Sequence, residues 1–315
     1  MEPITIEGIS KVYRKGLRRQ KVLALNDLSM SVAESEIYGF IGPNGAGKST
    51  TIKILCDLIR PTRGRATILG CDVREAETRT QIGYLPENPS YYSFLTGWEL
   101  LEFHGAIHSM QDRDIRTRGE ELLETLELVE AAHRPLRTYS KGMVQRLGIA
   151  AALIHDPKVL IFDEPMSGLD PPGRKLVSDL LLKLRNQEKT IFFSTHILHD
   201  VEVVCDRIGI ISRGRLKFSG FLTDAISESF SSYELVLRKT IPEQMKFLEE
   251  KGLSLRYFED KLKIDVPKEG IASFLDLILH KNVELVSIEP KRLTLQDFFV
   301  SFIKEEDNNK NGRIR

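Results

Sequence analysis

The chain has 315 residues, enough for two domains at about 150 residues each. Its 45 Lys+Arg and 45 Asp+Glu cancel, which argues against a strongly basic domain that binds nucleic acid through its phosphates. With 41% apolar and 29% charged residues, the composition is that of a folded core and not of a disordered chain.

The first 35 residues read as short strands: Ile4-Thr5-Ile6 alternates, and Val22 to Leu25 and Leu28 to Val32 are apolar-rich between polar turns. The basic stretch Lys11, Arg14, Lys15, Arg18, Arg19 and Lys21 is read either as a solvated hairpin loop or as a contact for lipid headgroups or a partner. Ile37-Tyr38-Gly39-Phe40-Ile41 is a buried-type strand running into a Gly-rich turn, and Thr50 to Ile59 reads as a helix stopped by Pro61. Residues 94 to 134 are helix-rich, and over Gly119 to Ala132 a helical spacing places Leu122, Leu123, Leu126 and Val129 on one face. Val159 to Phe162 and Thr190 to Phe193 are continuous apolar strands separated by the helical run Arg174 to Arg185. Strands apolar on both faces and alternating with helices indicate a parallel sheet covered by helices.

After about residue 225 the pattern changes. Tyr233, Leu235 and Leu237 alternate, as do Leu253, Leu255 and Tyr257, then Leu262, Ile264 and Val266, while Val283 and Leu285 start a fourth strand. Ile241, Met245 and Leu248 share one helical face, and Ile271, Phe274, Leu275 and Ile278 another. The order β-α-β-β-α-β is that of a ferredoxin-like unit. A last helix is expected near Leu295 to Ile303, with Thr294 and Asp297 placed for a capping box, before a polar, disordered tail. The expected division is residues 1–225, with a helical subdomain at about 88–150, then 226–304, then the tail 305–315. No apolar run reaches the roughly 20 residues of a membrane span, and the N-terminus lacks the pattern of a secretory signal. Three separated cysteines, Cys56, Cys71 and Cys205, fit neither a disulfide framework nor a zinc site and are read as core residues in a reducing compartment.

Two motifs carry chemistry. Gly42-Pro43-Asn44-Gly45-Ala46-Gly47-Lys48-Ser49 fits G-x-x-x-x-G-K-[ST] between an apolar strand and a helix, the setting of a P-loop. Its glycines let successive N–H groups point at phosphate oxygens, and the helix opening at Thr50 presents its positive end to the same anion. Lys48 can reach the β- and γ-phosphates and Ser49 can ligate Mg²⁺. Val159-Leu160-Ile161-Phe162-Asp163-Glu164 ends an apolar strand in two carboxylates. Asp163 is placed to hold Mg²⁺ beside the P-loop, and Glu164 to orient and deprotonate a water.

Further motifs follow in a fixed order. Tyr139-Ser140-Lys141-Gly142-Met143, with Gln145 and Arg146, stands about 20 residues before the Asp163-Glu164 pair; Ser167-Gly168-Leu169-Asp170 follows that pair; His196 comes after Phe192-Phe193-Ser194-Thr195. With Tyr13 near the N-terminus, this set resembles the ATP-binding cassette (ABC) family, the motor subunits of many transporters, over residues 1 to 222. The resemblance implies a P-loop, RecA-like parallel sheet with an antiparallel β subdomain and a helical subdomain. It also implies ATP and Mg²⁺ as ligands, and two cassettes sandwiching two ATP molecules head to tail. On that pattern Tyr13 stacks on adenine, Ser140 and Gly142 contact the γ-phosphate of the other copy, His196 holds the γ-phosphate and positions the water, Glu164 is the base, and Asp170 couples the two sites. Glu87 stands where the family carries a Mg²⁺-binding Gln, and Lys141 and Met143 depart from the usual Leu-Ser-Gly-Gly-Gln.

Glu87 together with Tyr-Ser-Lys-Gly-Met resembles the type-2 exporter cassettes, which work beside a separate polytopic membrane subunit. The implied setting is the cytoplasmic face of the cell membrane, with a second cassette, as a homodimer or a pair with a related chain, and no nucleic acid. The partner is expected near Glu87 to Leu95, with Tyr91 and Tyr92 either facing it or packing on the helical subdomain. The C-terminal unit is expected to regulate or dimerise. A soluble cassette ATPase acting on ribosomes or DNA, and a nucleotide sensor without catalysis, are the competing readings. The first is disfavoured by the single cassette and zero net charge, the second by the presence of Glu164 and His196.

Overall fold

The computed structural model describes residues 2–15, 20–227, 230–238, 255–258, 261–280, 283–292 and 295–300. They fall into two compact units, Met1–Leu222 and Thr223–Arg315.

The first unit opens with β1 (Ile4–Lys15) and β2 (Gln20–Val32), a long antiparallel pair. The sequence suggests two short strands where β2 is one. Asn26 and Asp27 do not break it: Asp27 takes φ 57°, the pair shifts register there, and the Asp27 amide donates to Ser10 Oγ at 3.0 Å. A β-bulge absorbs the polar interruption. Then come β3 (Ile37–Ile41), α1 (Lys48–Leu55), β4 (Arg63–Ile68), β5 (Cys71–Asp72), α2 (Ala76–Thr80) and β6 (Ile82–Leu85). Helix α1 is shorter than its sequence pattern suggests, because Asp57 turns left-handed (φ 52°) before Pro61 is reached. Cys71, expected in the core, is exposed on its two-residue strand, whereas Cys56 and Cys205 are buried.

Three helices follow: α3 (Gly97–Ile107), α4 (Asp112–Thr125) and α5 (Lys141–Leu153). Thr96 and Glu99 form a capping box on α3, closing its N-terminal amides. The helix read over Gly119 to Ala132 divides here. Helix α4 stops at Thr125, Glu127 takes φ 55°, and Val129 opens a 3-10 turn with 58% of its surface exposed, so it leaves the apolar face that Leu123 and Leu126 bury.

The unit is completed by β7 (Val159–Asp163), α6 (Pro171–Asn186), β8 (Thr190–Thr195), α7 (Leu198–Val204), β9 (Arg207–Ser212) and β10 (Arg215–Phe221). The six-stranded sheet has the order β10-β9-β3-β8-β7-β6, parallel except for the β9–β10 hairpin. Every residue of β3, β7 and β8 is buried, the pattern of strands covered on both faces. A second sheet, β2-β1-β4-β5, is antiparallel. One continuous core joins Ile4, Ile6 and Leu28 of that sheet to Ile52 and Leu55 of α1 and to Phe40, Ile161 and Phe192 of the parallel sheet.

After α8 (Leu222–Ser227), the second unit has β11 (Phe230–Arg238), β12 (Leu255–Phe258), β13 (Lys261–Pro267), a helix at Ile271–His280 and β14 (Leu285–Arg292). Its sheet order, β12-β13-β11-β14 with antiparallel neighbours, is ferredoxin-like. Leu235, Leu237, Leu262, Ile264 and Val266 alternate into its core against Phe274 and Ile278 of the helix. The helix expected around Ile241 to Leu248, the strand start at Leu253, Thr294 of the capping box and the tail 305–315 lie outside the described residues. Residues 295–300 are helical.

Candidate active site

The C-terminal ends of β3, β8 and β7 lie side by side, and the sheet register brings their loops together: Ile41 pairs with Thr195, and Asp163 with Ser194. In open α/β sheets this edge is where ligands bind. The turn after β3 runs into α1 through Gly47, whose φ of 118° is open to glycine only. A Cβ there would stand 2.7 Å from Leu25 Cδ2 and 2.9 Å from the Ala24 carbonyl. No side chain caps α1, so its first amides are free to face an anion. Lys48 is only 7% exposed, and its ammonium donates to the Gly42 carbonyl at 2.7 Å and lies 3.7 Å from Glu164 Oε1.

At the end of β7, Asp163 is buried and accepts a short hydrogen bond from Ser194 Oγ. Glu164 adopts a left-handed φ of 53°, which turns its carboxylate out of the strand direction. For a residue with a Cβ this costs about 1–2 kcal/mol, so neighbours must hold it. Its amide donates to the Ser194 carbonyl at 3.1 Å, and its carbonyl accepts from the Ser167 amide at 3.0 Å. Gln145, reaching from α5, donates through Nε2 to the carbonyls of Glu164 and Pro165, both at 3.1 Å. The carboxylate so placed meets His196 Nδ1 at 2.9 Å.

Pro43, Asn44, Gly45, Gly47, Lys48, Ser49, Thr50, Glu87, Glu164 and His196 line one cleft of about 360 Å³, together with Ala24. Gly42 and Ala46 form the turn behind it: Ala46 N donates to the Pro43 carbonyl. Asp163 sits beneath, fixed by Ser194. Tyr13 is on β1, 37% exposed, with the Lys11 ammonium 5.2 Å over its ring, and is not among the residues lining the cleft.

Ser140, Gly142 and Asp170 also stand outside that lining. Ser140 caps α5 by accepting from the Met143 amide at 3.2 Å, and Asp170 caps α6 by accepting from the Gly173 amide at 3.1 Å. The two segments adjoin, because a Cβ on Gly142 would lie 3.4 Å from Leu169 and 3.5 Å from the Gly168 carbonyl. Lys141 folds its stem over Gly168, and Met143 is half-buried.

Two residues here escape a reading by motif. Ser194 is a small polar residue at the end of an apolar strand, and only the pairing of β7 with β8 sets it against Asp163. Ala24 belongs to the other sheet and reaches the cleft because the Asn26 amide binds the Gly214 carbonyl while the Gly214 amide binds Ala46.

A buried ammonium, uncapped helix amides and a carboxylate–imidazole pair in one cleft have the chemistry to bind a polyphosphate and to activate water against it.

Comparison with known proteins agrees with this chemistry. Residues 25–167 match the family described as ABC transporter. An ABC transporter ATP-binding protein of Synechocystis sp. is 41% identical over 301 residues, covering 94% of this chain and 83% of that protein. One from Bacillus subtilis, YxlF, is 34% identical over 310 residues, 95% and 99% of the two chains. Among solved structures, a dimeric ATP-binding cassette in a post-hydrolysis state, bound to ADP and Pi, superposes with a TM-score of 0.65 at 26% identity, over 70% of this chain and 98% of that one.

Proposed function

We propose that this chain, which belongs to the ABC transporter family of ATP-binding proteins and is an ATPase, is the motor subunit of an exporter. It would act as a dimer of cassettes on a separate polytopic membrane subunit, from the cytoplasmic face of the membrane. The observation that carries the catalytic part is the Glu164 carboxylate, 2.9 Å from His196 in the cleft that Lys48 lines.

The roles proposed are those the family pattern implies, and the cleft lining supports the ones given to Lys48, Glu164 and His196. The amides of the Gly42–Thr50 turn and Lys48 bind the phosphates, with Tyr13 against the adenine. Glu164 takes the proton of the attacking water, and His196 orients that water and the terminal phosphate. The reaction adds water across the β–γ phosphoanhydride, with ADP and phosphate leaving. The donor types fit a hard divalent cation: Ser49 and Glu87 line the cleft, Asp163 is buried at the end of β7, and this hydroxyl and these two carboxylates would hold Mg²⁺. When bound, Mg²⁺ neutralises charge on the phosphates.

Ser140, Gly142 and Asp170 act on the ATP of a second copy, a reading supported by their lying on one surface outside the P-loop cleft. A dimeric cassette among the solved relatives supports the same reading. Glu164→Gln should trap an ATP-bound dimer with little turnover, seen as an ATP-dependent shift in size-exclusion elution. Ordinary hydrolysis in that variant would sink the assigned base.

The membrane partner would contact the chain near Glu87 to Leu95, a reading supported by the pocket that Tyr91, Tyr92 and Leu95 line with Leu100 and Phe103. The two tyrosines divide the expected roles: Tyr91 packs edge-on against His104, while Tyr92 is 69% exposed and stacks on exposed Phe94. Exposed aromatics of this kind suit a protein contact. Among the described residues no helix is long and apolar enough to cross a membrane, which supports a partner that supplies the spans. Affinity purification from detergent-solubilised native membranes should recover a stoichiometric polytopic protein; recovery with ribosomes instead would overturn the transport reading. The second unit is assigned to holding two copies together between ATP cycles, and deleting residues after 225 should weaken dimerisation.

A further inference from the structure

Helix α5 begins at Ser140 and Gly142, assigned above to the ATP of a second copy, and a little over one turn later carries Gln145. That side chain is 1% exposed, and Leu147 to Leu153 are all buried beyond it. A buried amide must find partners. Its Nε2 has two hydrogens, and each meets a carbonyl at 3.1 Å, of Glu164 and of Pro165. Because both partners are acceptors, the orientation of the amide is decided by the contacts themselves.

The peptide so gripped is the strained one. Glu164 is held at φ 53° from three sides: by the Ser194 carbonyl on β8, by the Ser167 amide in the turn that follows, and by Gln145 from α5. The first two belong to the sheet and to the loop itself. The third reaches across from the helix that opens at Ser140. A sparsely populated backbone conformation persists only while its surroundings over-determine it, so a shift of α5 acts directly on the direction of the Glu164 carboxylate.

We propose that Gln145 is a positioning residue that transmits the engagement of Ser140 and Gly142 with a second copy to Glu164 in its own chain. The ATP bound by one copy thereby aligns the base that acts on the other ATP. This inference rests on the reading of Glu164 as base and of the α5 N-terminus as a dimer contact.

The test compares full-length wild type, Gln145→Met, which keeps the volume and removes both donors, and Glu164→Gln. Steady-state ATP hydrolysis is measured across protein concentration, with ATP binding and melting temperature measured in parallel. Dimer-dependent kcat of Gln145→Met should fall by up to about 10²-fold, the penalty of a misplaced catalytic group, with KM and ATP affinity within about twofold of wild type. A melting temperature that drops together with ATP affinity, or an unchanged kcat, overturns the proposal. Inactive Glu164→Gln beside fully active Gln145→Met overturns this inference alone, whereas an active Glu164→Gln removes the reading beneath it. Hydrogen exchange on ATP-trapped Glu164→Gln needs no change at Gln145: protection should rise together at 140–145 and 163–168. Protection confined to 140–145 refutes the link.

Discussion

His155 follows the C-terminus of α5 and stacks on His108, the C-cap of α3, with ring centroids 3.6 Å apart and planes 5° from parallel. Its Nε2 lies 3.1 Å from the Ile82 carbonyl of β6, and its buried Nδ1 has no partner. His104 lies in the last turn of α3, and Arg118 of α4 reaches the carbonyls of Leu153 and Ile154 beside His155. Burial chiefly, then the neighbouring His108, holds the His155 value down at about 4 against an ordinary 6.5, although the Ile82 carbonyl pulls the other way. Between those values the unfolded chain binds more protons than the folded one, so stability falls as pH drops from 6.5 toward 4. Going from pH 7.5 to pH 5, the shift corresponds to about 2 kcal/mol, which partial solvent access brings to about 1–2 kcal/mol.

The clean perturbation is His155→Phe, which keeps a flat ring on His108 and cannot be charged. It loses the bond to Ile82, a cost of about 1 kcal/mol at every pH. Urea unfolding followed by fluorescence of Trp98, the sole tryptophan, gives the stability at each pH. Wild type should lose about 1–2 kcal/mol more than the variant between pH 7.5 and 5. Equal losses in the two proteins would refute the argument.

Gly47→Ala combines a φ of 118° with a Cβ 2.7 Å from Leu25; stability should drop by about 1–3 kcal/mol or more and ATP binding should weaken, as read by urea titration and equilibrium dialysis. Ser194→Ala removes a buried donor from Asp163. The expected loss is about 1–3 kcal/mol, with a raised Mg²⁺ requirement for hydrolysis; an unchanged Mg²⁺ titration would show that the hydroxyl does not position Asp163. Tyr92→Ser with Phe94→Ser strips two exposed stacked rings, so ATPase of the isolated chain should stay the same while recovery of the membrane protein falls. Retention of the partner by this double variant would move the contact elsewhere.

The chemistry was legible wherever residue type and order sufficed. Gly42 to Ser49, Asp163-Glu164 and His196 are close in pattern to what their proposed tasks require, and continuous apolar runs such as Val159 to Phe162 announce strands buried on both faces. Alternation at Leu262, Ile264 and Val266 likewise marked the inner face of a sheet. Periodicity failed at Leu126 to Val129, because a helical spacing can continue in sequence through a left-handed turn at Glu127 that ends the helix in space.

Sequence by itself thus determined which groups are proposed here to bind polyphosphate and activate water, since those groups lie in local strand–turn–helix segments whose geometry depends on neighbours in the chain. Tertiary structure alone decided how they are held. Ser194 reaches Asp163 through a register between two parallel strands, and Gln145 reaches Glu164, nineteen positions further along the chain. Ala24 arrives from a different sheet. Such contacts are set by packing between elements remote in sequence, and no local pattern of side chains encodes them.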